Sequence, residues 1–381
     1  MALKHADLIA QMTLEEKASM CDGLDYWHSQ PVERLGIKSI SLNDGPHGIR
    51  KKGDPGDTPK GETNLLKGVP AICFPTASAT ACSWDPDLMY RMGEALGEEA
   101  LKEKVSVLLG PGTNIKRSPL CGRNFEYFSE DGFLAGEIAA AFINGVQSKG
   151  VGTSLKHFAA NNQETRRMTV NAVVDERTLR ETYLVPFEIA VKKAQPWTIM
   201  NSYNRINSVY ASQNGWMQNE VARGEWGYEG LFVTDWGSSV DRIPGLYNGT
   251  DLEMPSSGTY NTEKIVAAVK DGSLDRYFVN EADEDGIYAF HRHPTGDQFF
   301  NGLGAHVDKI AVFTHFYQGG GSLPVGFGDA VAGADKCNFH SEPSFLAKMG
   351  MCYFPVRMIL RIFPSKVGAE TYCILPGASW L

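Results

Sequence analysis

Short apolar runs alternate with helix-like segments along the first 272 or so residues of this 381-residue chain. The runs IKSISL, VSVLLGPG, GTSLKHFA, WTIMNSYN and LFVTDWG are each followed by a segment with loop residues or helical periodicity. Strands that are apolar on both faces and alternate with helices are typical of a parallel sheet covered by helices. We therefore predict an α/β fold closed into a (β/α)8 TIM-type barrel, with a doubly wound open sheet as the alternative.

Two helix starts carry specific capping signals. The sequence TLEE places Thr13 before a helix with Glu16 three residues later, which is the pattern of a capping box. Asp85 precedes Pro86, which is typical of an N-cap followed by a proline in the first turn. Both helices are predicted to begin at these residues.

The pattern changes after the last helix-like segment. The stretch NEADEDGIYAFHRHPTGDQFFNG follows neither period, and the end of the chain is apolar with almost no acids. We expect a barrel domain over residues 1–273 and an atypical tail over residues 274–381. The tail would be a small cap, a segment covered by a partner, or a stretch that does not fold as its sequence suggests.

Composition and charge narrow the class of partners. The net charge is −9 and the acids are scattered among bases, so nucleic acid is not an expected partner. The start MALKHADLIAQMTLEEK lacks the apolar core of a signal peptide, and no run reaches about 18 apolar residues. We expect a cytoplasmic protein with no membrane contact, no cofactor and seven reduced cysteines, with a homo-oligomer as one option for its assembly.

Polar side chains collect where the predicted strands end. Because the carboxyl ends of parallel strands open at one mouth of a barrel, these groups are expected to form one site. They are Asp44; Arg123 and Glu126; Lys156 and His157; Asn201 and Tyr203; and Asp235.

The motifs of several reaction classes are missing from the sequence. There is no P-loop, no GxGxxG after a strand and no GxSxG elbow, and the histidines lack metal-ligand spacing. The tracts GPGTN and YQGGGS can be simple turns. A mouth lined by carboxylates, bases, amides and aromatic rings suits a ligand with many hydroxyls, and Trp236 offers a face for sugar C–H groups. The sequence therefore predicts a carbohydrate site without a metal.

Six long stretches resemble one known family in order along the chain. They are NDGPHGIR, LLGPGTNIKRSPLCGRNFEYFSED, GVGTSLKHFAANNQETRRM, DERTLRETYLVPFEIAV, WTIMNSYNRIN and GLFVTDWGS. Over about residues 5–273 the chain resembles the N-terminal barrel domain of family 3 glycoside hydrolases, and within that family the bacterial β-glucosidases.

The resemblance implies a role for each matching residue. The aspartate of the TDW motif, Asp235, would be the nucleophile, with Trp236 as a wall toward the leaving group and Met200 and Tyr203 as the floor. The sugar would bind among four polar side chains, namely Asp44, Arg123, Lys156 and His157. Supports for the loops would come from Glu126, Asp131, Glu164 and Arg167.

The implied reaction is retaining hydrolysis of a terminal non-reducing β-D-glucosyl residue. Asp235 would form a covalent glycosyl-enzyme, and a second carboxyl group about 5 to 5.5 Å away would act as acid and then base. In similar β-glucosidases that group belongs to a second domain, of which only residues 308–322 show a trace here. A frame-shifted or prematurely ended copy of a longer enzyme would explain this tail.

The acid/base residue is therefore unassigned. The single-domain branch of the family carries a catalytic histidine in the loop after its KHF strand, but the loop AANNQETRRM has none. Glu164 is a possible donor, although support of Arg166 or Arg167 is favoured for it. The alternative function is a sugar-binding pseudoenzyme, or a truncated hydrolase that lacks its acid/base residue.

Overall fold

The computed structural model describes residues 5–51 and 68–274. The predicted tail, residues 274–381, therefore lies outside the described residues except for its first position, as does the 308–322 segment. In chain order the described strands are β1 (Leu42–Asp44), β2 (Val107–Leu109), β3 (Gly152–Phe158), β4 (Asn171–Ala172), β5 (Thr198–Asn201), β6 (Arg205–Ile206), β7 (Val209–Tyr210) and β8 (Leu231–Thr234).

Five of these strands form one parallel sheet in the order β1-β2-β3-β5-β8. A small second sheet joins β4 in parallel to β6, and β6 antiparallel to β7. The predicted α/β class is confirmed.

Isolated bridges continue beyond the two edge strands of the parallel sheet. At one edge Val233 of β8 pairs in parallel with Leu252, and the next residue, Glu253, pairs in parallel with Asp22. At the other edge Ser41, which precedes β1, pairs antiparallel with His28. Bridged chain segments therefore continue the five-stranded sheet beyond β8 and beyond β1. Closure of the sheet into an eight-stranded barrel stays a prediction.

Helices follow the strands along most of the described chain. The α-helices are α1 (Ala6–Ala10), α2 (Leu14–Met20), α3 (Ala77–Ala81), α4 (Pro86–Lys102), α5 (Gly132–Gln147), α6 (Glu176–Thr178), α7 (Val185–Ala194), α8 (Arg242–Tyr247) and α9 (Tyr260–Lys270). Two further segments are π-helical, Leu179–Tyr183 and Trp216–Glu225. Short 3-10 turns occupy Glu33–Leu35, Asn124–Glu126 and Ala211–Gln213.

Both predicted helix starts are confirmed. Thr13 accepts a hydrogen bond from the backbone of Glu16, whose carboxylate accepts one from the Thr13 backbone, which completes the capping box. Asp85 accepts from the backbone of Leu88, and Pro86 is the first residue of α4. Each cap satisfies backbone donors that the first helical turn leaves without a partner.

The apolar core joins the sheet to its helices. Leu42, Val107 and Val233 of the strands are buried in one cluster with residues of α2, α8 and α9. The burial of every residue of β2, β3, β5 and β8 agrees with a sheet covered on both faces. The sheet is therefore a rigid base for side chains at its carboxyl edge.

Helices α4 and α5 pack closely through a pair of glycines. A Cβ atom on Gly145 would lie 2.1 Å from the carbonyl oxygen of Tyr90 and 3.0 Å from the Cα of Gly93. Only glycine allows the two helix backbones to approach this far.

The described cysteines form no disulfide. Cys21, Cys73, Cys82 and Cys121 are free thiols. Burial raises the pKa of Cys21 to about 12, so this thiol is unreactive at neutral pH.

Candidate active site

Asp235 lies at the carboxyl end of the fully buried strand β8 and retains 8% of its surface exposed. Its backbone nitrogen donates to the carbonyl oxygen of Asn201 at 3.2 Å. The backbone nitrogen of Trp236 donates to its Oδ1 at 2.8 Å. These bonds fix the carboxylate through Oδ1, and the Tyr203 side chain lies close enough to help stabilise its charged form.

The Oδ2 atom of Asp235 is buried and has no hydrogen-bond partner among the described residues. Buried carboxylate oxygens are normally paired, so an unpaired one at a strand end marks a place for a ligand. Burial, the largest influence, raises the pKa of Asp235, while the charges of Arg123 and Lys156 oppose the rise. The site thus offers one open carboxylate oxygen with two cations nearby.

Two successive residues of β3, Lys156 and His157, reach the same site. The register between β3 and β5 shifts between Leu155 and Phe158, so the strand is irregular here. Successive side chains of a regular strand point to opposite faces, and an irregular strand breaks this alternation. The amide of Asn114 holds this part of β3, because it donates to the His157 carbonyl at 2.9 Å and accepts from the His157 nitrogen at 2.8 Å.

The imidazole of His157 is held between two side chains. Nη2 of Arg123 lies 2.8 Å from Nε2, and the hydroxyl of Tyr127 lies 3.0 Å from Nδ1. A guanidinium can only donate, so Nε2 accepts and the proton of the neutral ring resides on Nδ1. The Nδ1–H group then donates to the Tyr127 hydroxyl oxygen.

His157 is neutral in this environment. Burial is the largest cause that lowers its pKa well below the usual value, and the charges of Arg123, Lys156 and Arg167 lower it further. Nε2 lies 3.6 Å from Oδ2 of Asp235. Because the ring is uncharged and Nε2 carries no proton, this contact is not an ion pair.

Asp44 follows two buried residues of β1 and pairs with Lys156. The Nζ of Lys156 donates to Oδ1 of Asp44 at 3.0 Å, and Arg50 lies 3.6 Å from Oδ2. Burial would raise the pKa of Asp44, but the Lys156 charge and hydrogen bond, together with the Arg50 charge, hold it below its usual value. Lys156 also lies 3.9 Å from Glu126, which accepts a hydrogen bond from Nε of Arg123. Acidic and basic groups therefore alternate along this side of the site.

The three residues predicted as floor and wall, Met200, Tyr203 and Trp236, lie in or just after β5 and β8. Met200 is buried in the core beneath the site. The hydroxyl of Tyr203 donates to the carbonyl oxygen of Trp236 at 2.9 Å. The guanidinium of Arg167 lies 4.7 Å from the centre of the Tyr203 ring, in a cation–π contact.

The predicted supporting residues contact loops around the site. Glu164 accepts a hydrogen bond from Arg167 at 2.8 Å and another from Asn161 at 3.4 Å. Asp131 caps α5 by accepting from the Leu134 nitrogen at 2.9 Å. Their roles in a reaction stay predictions, as do those of the other site residues.

Two residues that shape the site, Tyr127 and Asn114, were not among the site residues predicted from the sequence. Tyr127 fixes the tautomer of His157, and Asn114 holds its backbone. Both lie in stretches that carried the family resemblance. The sequence offered no stronger signal, because each contacts His157 from 30 or more positions away in the chain.

Within residues 5–51 and 68–274, no three His, Cys, Asp or Glu residues are grouped so that they could hold a metal ion. None of the helices in these ranges combines the length and the apolar character that crossing a membrane requires.

The family model described as Glycosyl hydrolase family 3 N terminal domain matches residues 56–284, which is more than half of the chain. The chain belongs to glycosyl hydrolase family 3. The resemblance seen in the sequence is thereby confirmed. The acidic and basic groups at the carboxyl ends of β1, β3 and β8 therefore lie in a family 3 glycosyl hydrolase domain.

Curated family 3 relatives match most of this chain. Thermostable beta-glucosidase B from Acetivibrio thermocellus is 57% identical over 284 residues, covering 74% of this chain and 37% of that protein. An exo-alpha-(1->6)-L-arabinopyranosidase from Bifidobacterium longum is 55% identical over 266 residues, covering 70% and 34%. The chain thus spans about a third of the length of these relatives.

Solved family 3 structures share the fold. A GH3 beta-glucosidase from Bifidobacterium adolescentis is 46% identical with a TM-score of 0.68, covering 81% of this chain and 40% of that one. Beta-glucosidase 3B from Thermotoga neapolitana, solved with alpha-D-glucose, is 36% identical with a TM-score of 0.70, covering 82% and 43%.

Proposed function

We propose that this chain is the catalytic part of a retaining, exo-acting β-glucosidase that removes terminal β-D-glucosyl residues. The open Oδ2 of Asp235, set among Arg123, His157 and Lys156, is the observation that carries the proposal. Relatives named as beta-glucosidases support a glucoside substrate, and a relative named as an exo-arabinopyranosidase supports exo action.

In the first step Oδ2 of Asp235 attacks the anomeric carbon. A carbon–oxygen ester bond forms, the bond to the aglycone breaks, and the leaving oxygen takes the electron pair and a proton from an acid. In the second step water, deprotonated by the conjugate base of that acid, attacks the same carbon and releases Asp235. Arg123 and Lys156 stabilise the ionised carboxylate before attack, which offsets part of the effect of its burial.

The glycone would bind through alternating donors and acceptors. Asp44 would accept hydrogen bonds from sugar hydroxyls, while Lys156 and Arg123 would donate to them. Nε2 of His157 already accepts from Arg123, so this ring would position the guanidinium as well as border the sugar. Met200, Tyr203 and Trp236 would supply the floor and wall of the pocket.

The acid/base residue stays unassigned. A proton donor must be neutral before the reaction, and a nearby cation favours the charged form of a carboxylate. Burial would raise the pKa of Asp44, but the Lys156 charge and hydrogen bond hold it below its usual value. The carboxylates of Glu126 and Glu164 are already hydrogen-bonded to Arg123 and Arg167. This pairing favours the second candidate, a sugar-binding pseudoenzyme or truncated hydrolase without its acid/base residue.

Covalent trapping tests the proposal. After incubation with 2,4-dinitrophenyl 2-deoxy-2-fluoro-β-D-glucoside, mass spectrometry should find one added sugar on the peptide that contains Asp235. The aryl leaving group needs little acid assistance, so an absent acid/base residue does not prevent this step. Asp235→Asn should give no adduct and should retain the circular dichroism spectrum of the parent protein. If the parent protein is not labelled, the proposed hydrolase activity is refuted, and only the alternative function of sugar binding remains.

Isolated bridges at the two edges of the five-stranded sheet support the prediction of a complete barrel. We infer that the bridged segments around Asp22, His28 and Leu252 complete the predicted (β/α)8 closure between the edges of the five-stranded sheet. A single barrel over residues 1–273, a cytoplasmic location and a homo-oligomer remain the interpretation drawn from the sequence.

A further inference from the structure

The backbone of Asp235 is held on both sides of its Cα atom. Its nitrogen donates to the carbonyl oxygen of Asn201 at 3.2 Å, and its carbonyl oxygen accepts from the nitrogen of Ser238 at 2.8 Å. Because an aspartate side chain is short, its carboxylate moves with the backbone to which it is attached. The position of Oδ2 therefore depends on what fixes Asn201 and Ser238.

A chain of hydrogen bonds joins Ser238 to Asn201 through two further residues. The hydroxyl of Ser212 donates to the carbonyl oxygen of Ser238 at 2.9 Å. The hydroxyl of Thr250 donates to the carbonyl oxygen of Ser212 at 2.7 Å and accepts from Nδ2 of Asn201 at 2.9 Å. Together with the two backbone bonds of Asp235, these contacts close a ring of hydrogen bonds that begins and ends at the proposed nucleophile.

Thr250 has a fixed place because its own backbone is bound on both sides. Its nitrogen donates to the carbonyl oxygen of Gly245 at 2.9 Å, and its carbonyl oxygen accepts from Nη1 of Arg242 at 3.1 Å. Oε1 of Gln218 also lies 3.0 Å from the Thr250 hydroxyl. Thr250 is 1% exposed, so the loss of its hydroxyl would leave buried polar groups without partners. This hydroxyl is thus an anchor for the loop that carries Asp235.

We propose that Thr250 is a positioning residue, whose hydroxyl holds Asp235 in the orientation that attack on the anomeric carbon requires. This inference rests on the proposed function. The hydroxyl of Thr250 is already engaged in the ring of hydrogen bonds, so it acts through its neighbours and not on the sugar. Attack requires reacting atoms that are aligned at about 3–3.5 Å, and a misplacement of about 1 Å can lower the rate about a hundredfold. Thr250 should therefore affect the rate of attack more than the affinity for the sugar.

Thr250→Val removes the hydroxyl and keeps the shape of the side chain. With 2,4-dinitrophenyl 2-deoxy-2-fluoro-β-D-glucoside, the rate constant of inactivation should fall about ten- to hundredfold, as expected for a misplaced nucleophile. The inhibition constant should change less than about threefold, because the residues proposed to bind the sugar are untouched. Thr250→Ser retains the hydroxyl and should restore most of the parent rate.

Thr198→Val is the matched control. Thr198 is also fully buried, and its hydroxyl donates to the carbonyl oxygen of Thr153 at 3.1 Å. It begins β5, the strand that Asn201 ends, so it lies at the edge of the sheet opposite the site. This variant should lower the urea midpoint of unfolding, since a buried hydrogen bond is lost, but should leave the inactivation rate constant unchanged. Equal losses of rate in the two valine variants, or an unchanged rate in Thr250→Val, would overturn the inference.

Crystal structures of the variants test the positioning of Asp235 independently of reactivity. In Thr250→Val the carboxylate should be displaced from its parent position by more than about 0.5 Å, the tolerance of a working catalytic site. The carboxylate should not move in Thr250→Ser or in Thr198→Val. An unmoved carboxylate in Thr250→Val would refute the inference.

The two measurements also separate this inference from the proposed function. A parent protein that forms no adduct refutes the proposed function, and the structural comparison then decides by itself whether Thr250 positions Asp235. If Thr250→Val does not fold, Ser212→Ala removes only the hydrogen bond to the Ser238 carbonyl and is judged by the same rate and the same displacement.

Discussion

At the residue scale, the state of His157 depends on neighbours that lie far away in sequence. Arg123 donates to its Nε2, and Tyr127 lies against its Nδ1. Burial and three positive charges lower the pKa of the ring. A lowered histidine pKa means that the neutral form persists at pH values where an ordinary histidine is charged. His157 is therefore a fixed hydrogen-bonding group of the site and not a proton carrier at neutral pH.

We predict that His157 stays in the Nδ1–H neutral form between about pH 5.5 and 8, a range in which an ordinary histidine titrates. Long-range ¹H–¹⁵N correlation spectra should show the pattern of that tautomer, with nitrogen shifts that stay constant over the range. The spectrum of His157→Gln, which lacks this one signal, provides the assignment. Movement of the signal toward the imidazolium pattern near pH 6.5 would contradict the prediction.

At the element scale, the site depends on strand and helix contacts that the sequence pattern does not encode. Lys156 and His157 reach one site where the register of β3 shifts, and the amide of Asn114 holds the His157 backbone there. Periodicity predicted strand β3 correctly, yet a regular strand would have sent these neighbours to opposite faces. The close packing of α4 on α5 likewise depends on which two glycines meet, and the sequence alone does not specify the pair.

We predict that Gly145→Ala destabilises the protein by about 1–3 kcal/mol, the usual cost of overpacking a close contact. The added methyl would lie 2.1 Å from the Tyr90 carbonyl oxygen, and the backbone of α4 cannot move without disturbing the core. Urea unfolding followed by circular dichroism measures the change. Gly122→Ala is the control, since its methyl would meet only the Glu164 Cγ at 3.6 Å. Equal midpoints for the two variants would show that α4 and α5 have room to separate.

At the scale of the whole molecule, the described residues bring together the proposed nucleophile and the proposed sugar-binding residues, but no assigned proton donor. The chain spans about a third of the length of the curated relatives it matches. The pairs Asp44–Lys156, Glu126–Arg123 and Glu164–Arg167 each hold a carboxylate beside a cation. If no other group supplies acid/base help, formation of the glycosyl-enzyme on an activated substrate will outpace its hydrolysis.

We predict burst kinetics for this chain with 2,4-dinitrophenyl β-D-glucoside. Release of dinitrophenol should show one rapid equivalent and then a slow phase, because water needs a general base to attack the intermediate. Azide needs no base, so it should accelerate the slow phase at least about tenfold, within the usual contribution of acid/base catalysis. A linear time course that azide leaves unchanged would show that the chain contains its own acid/base residue.

The sequence by itself determined the α/β class, two helix caps and the family. These features depend on local patterns: strand and helix periodicity, capping residues next to the backbone they satisfy, and motifs that keep their order along the chain. The position of Asp235 at a strand end was also predictable, because β8 is an unbroken apolar run that finishes there. Tertiary structure alone decided how these parts meet. The register shift of β3, the tautomer of His157, and the hydrogen bond from the Trp236 indole to the Tyr26 carbonyl 210 positions away arise from packing between distant segments, which no local pattern records.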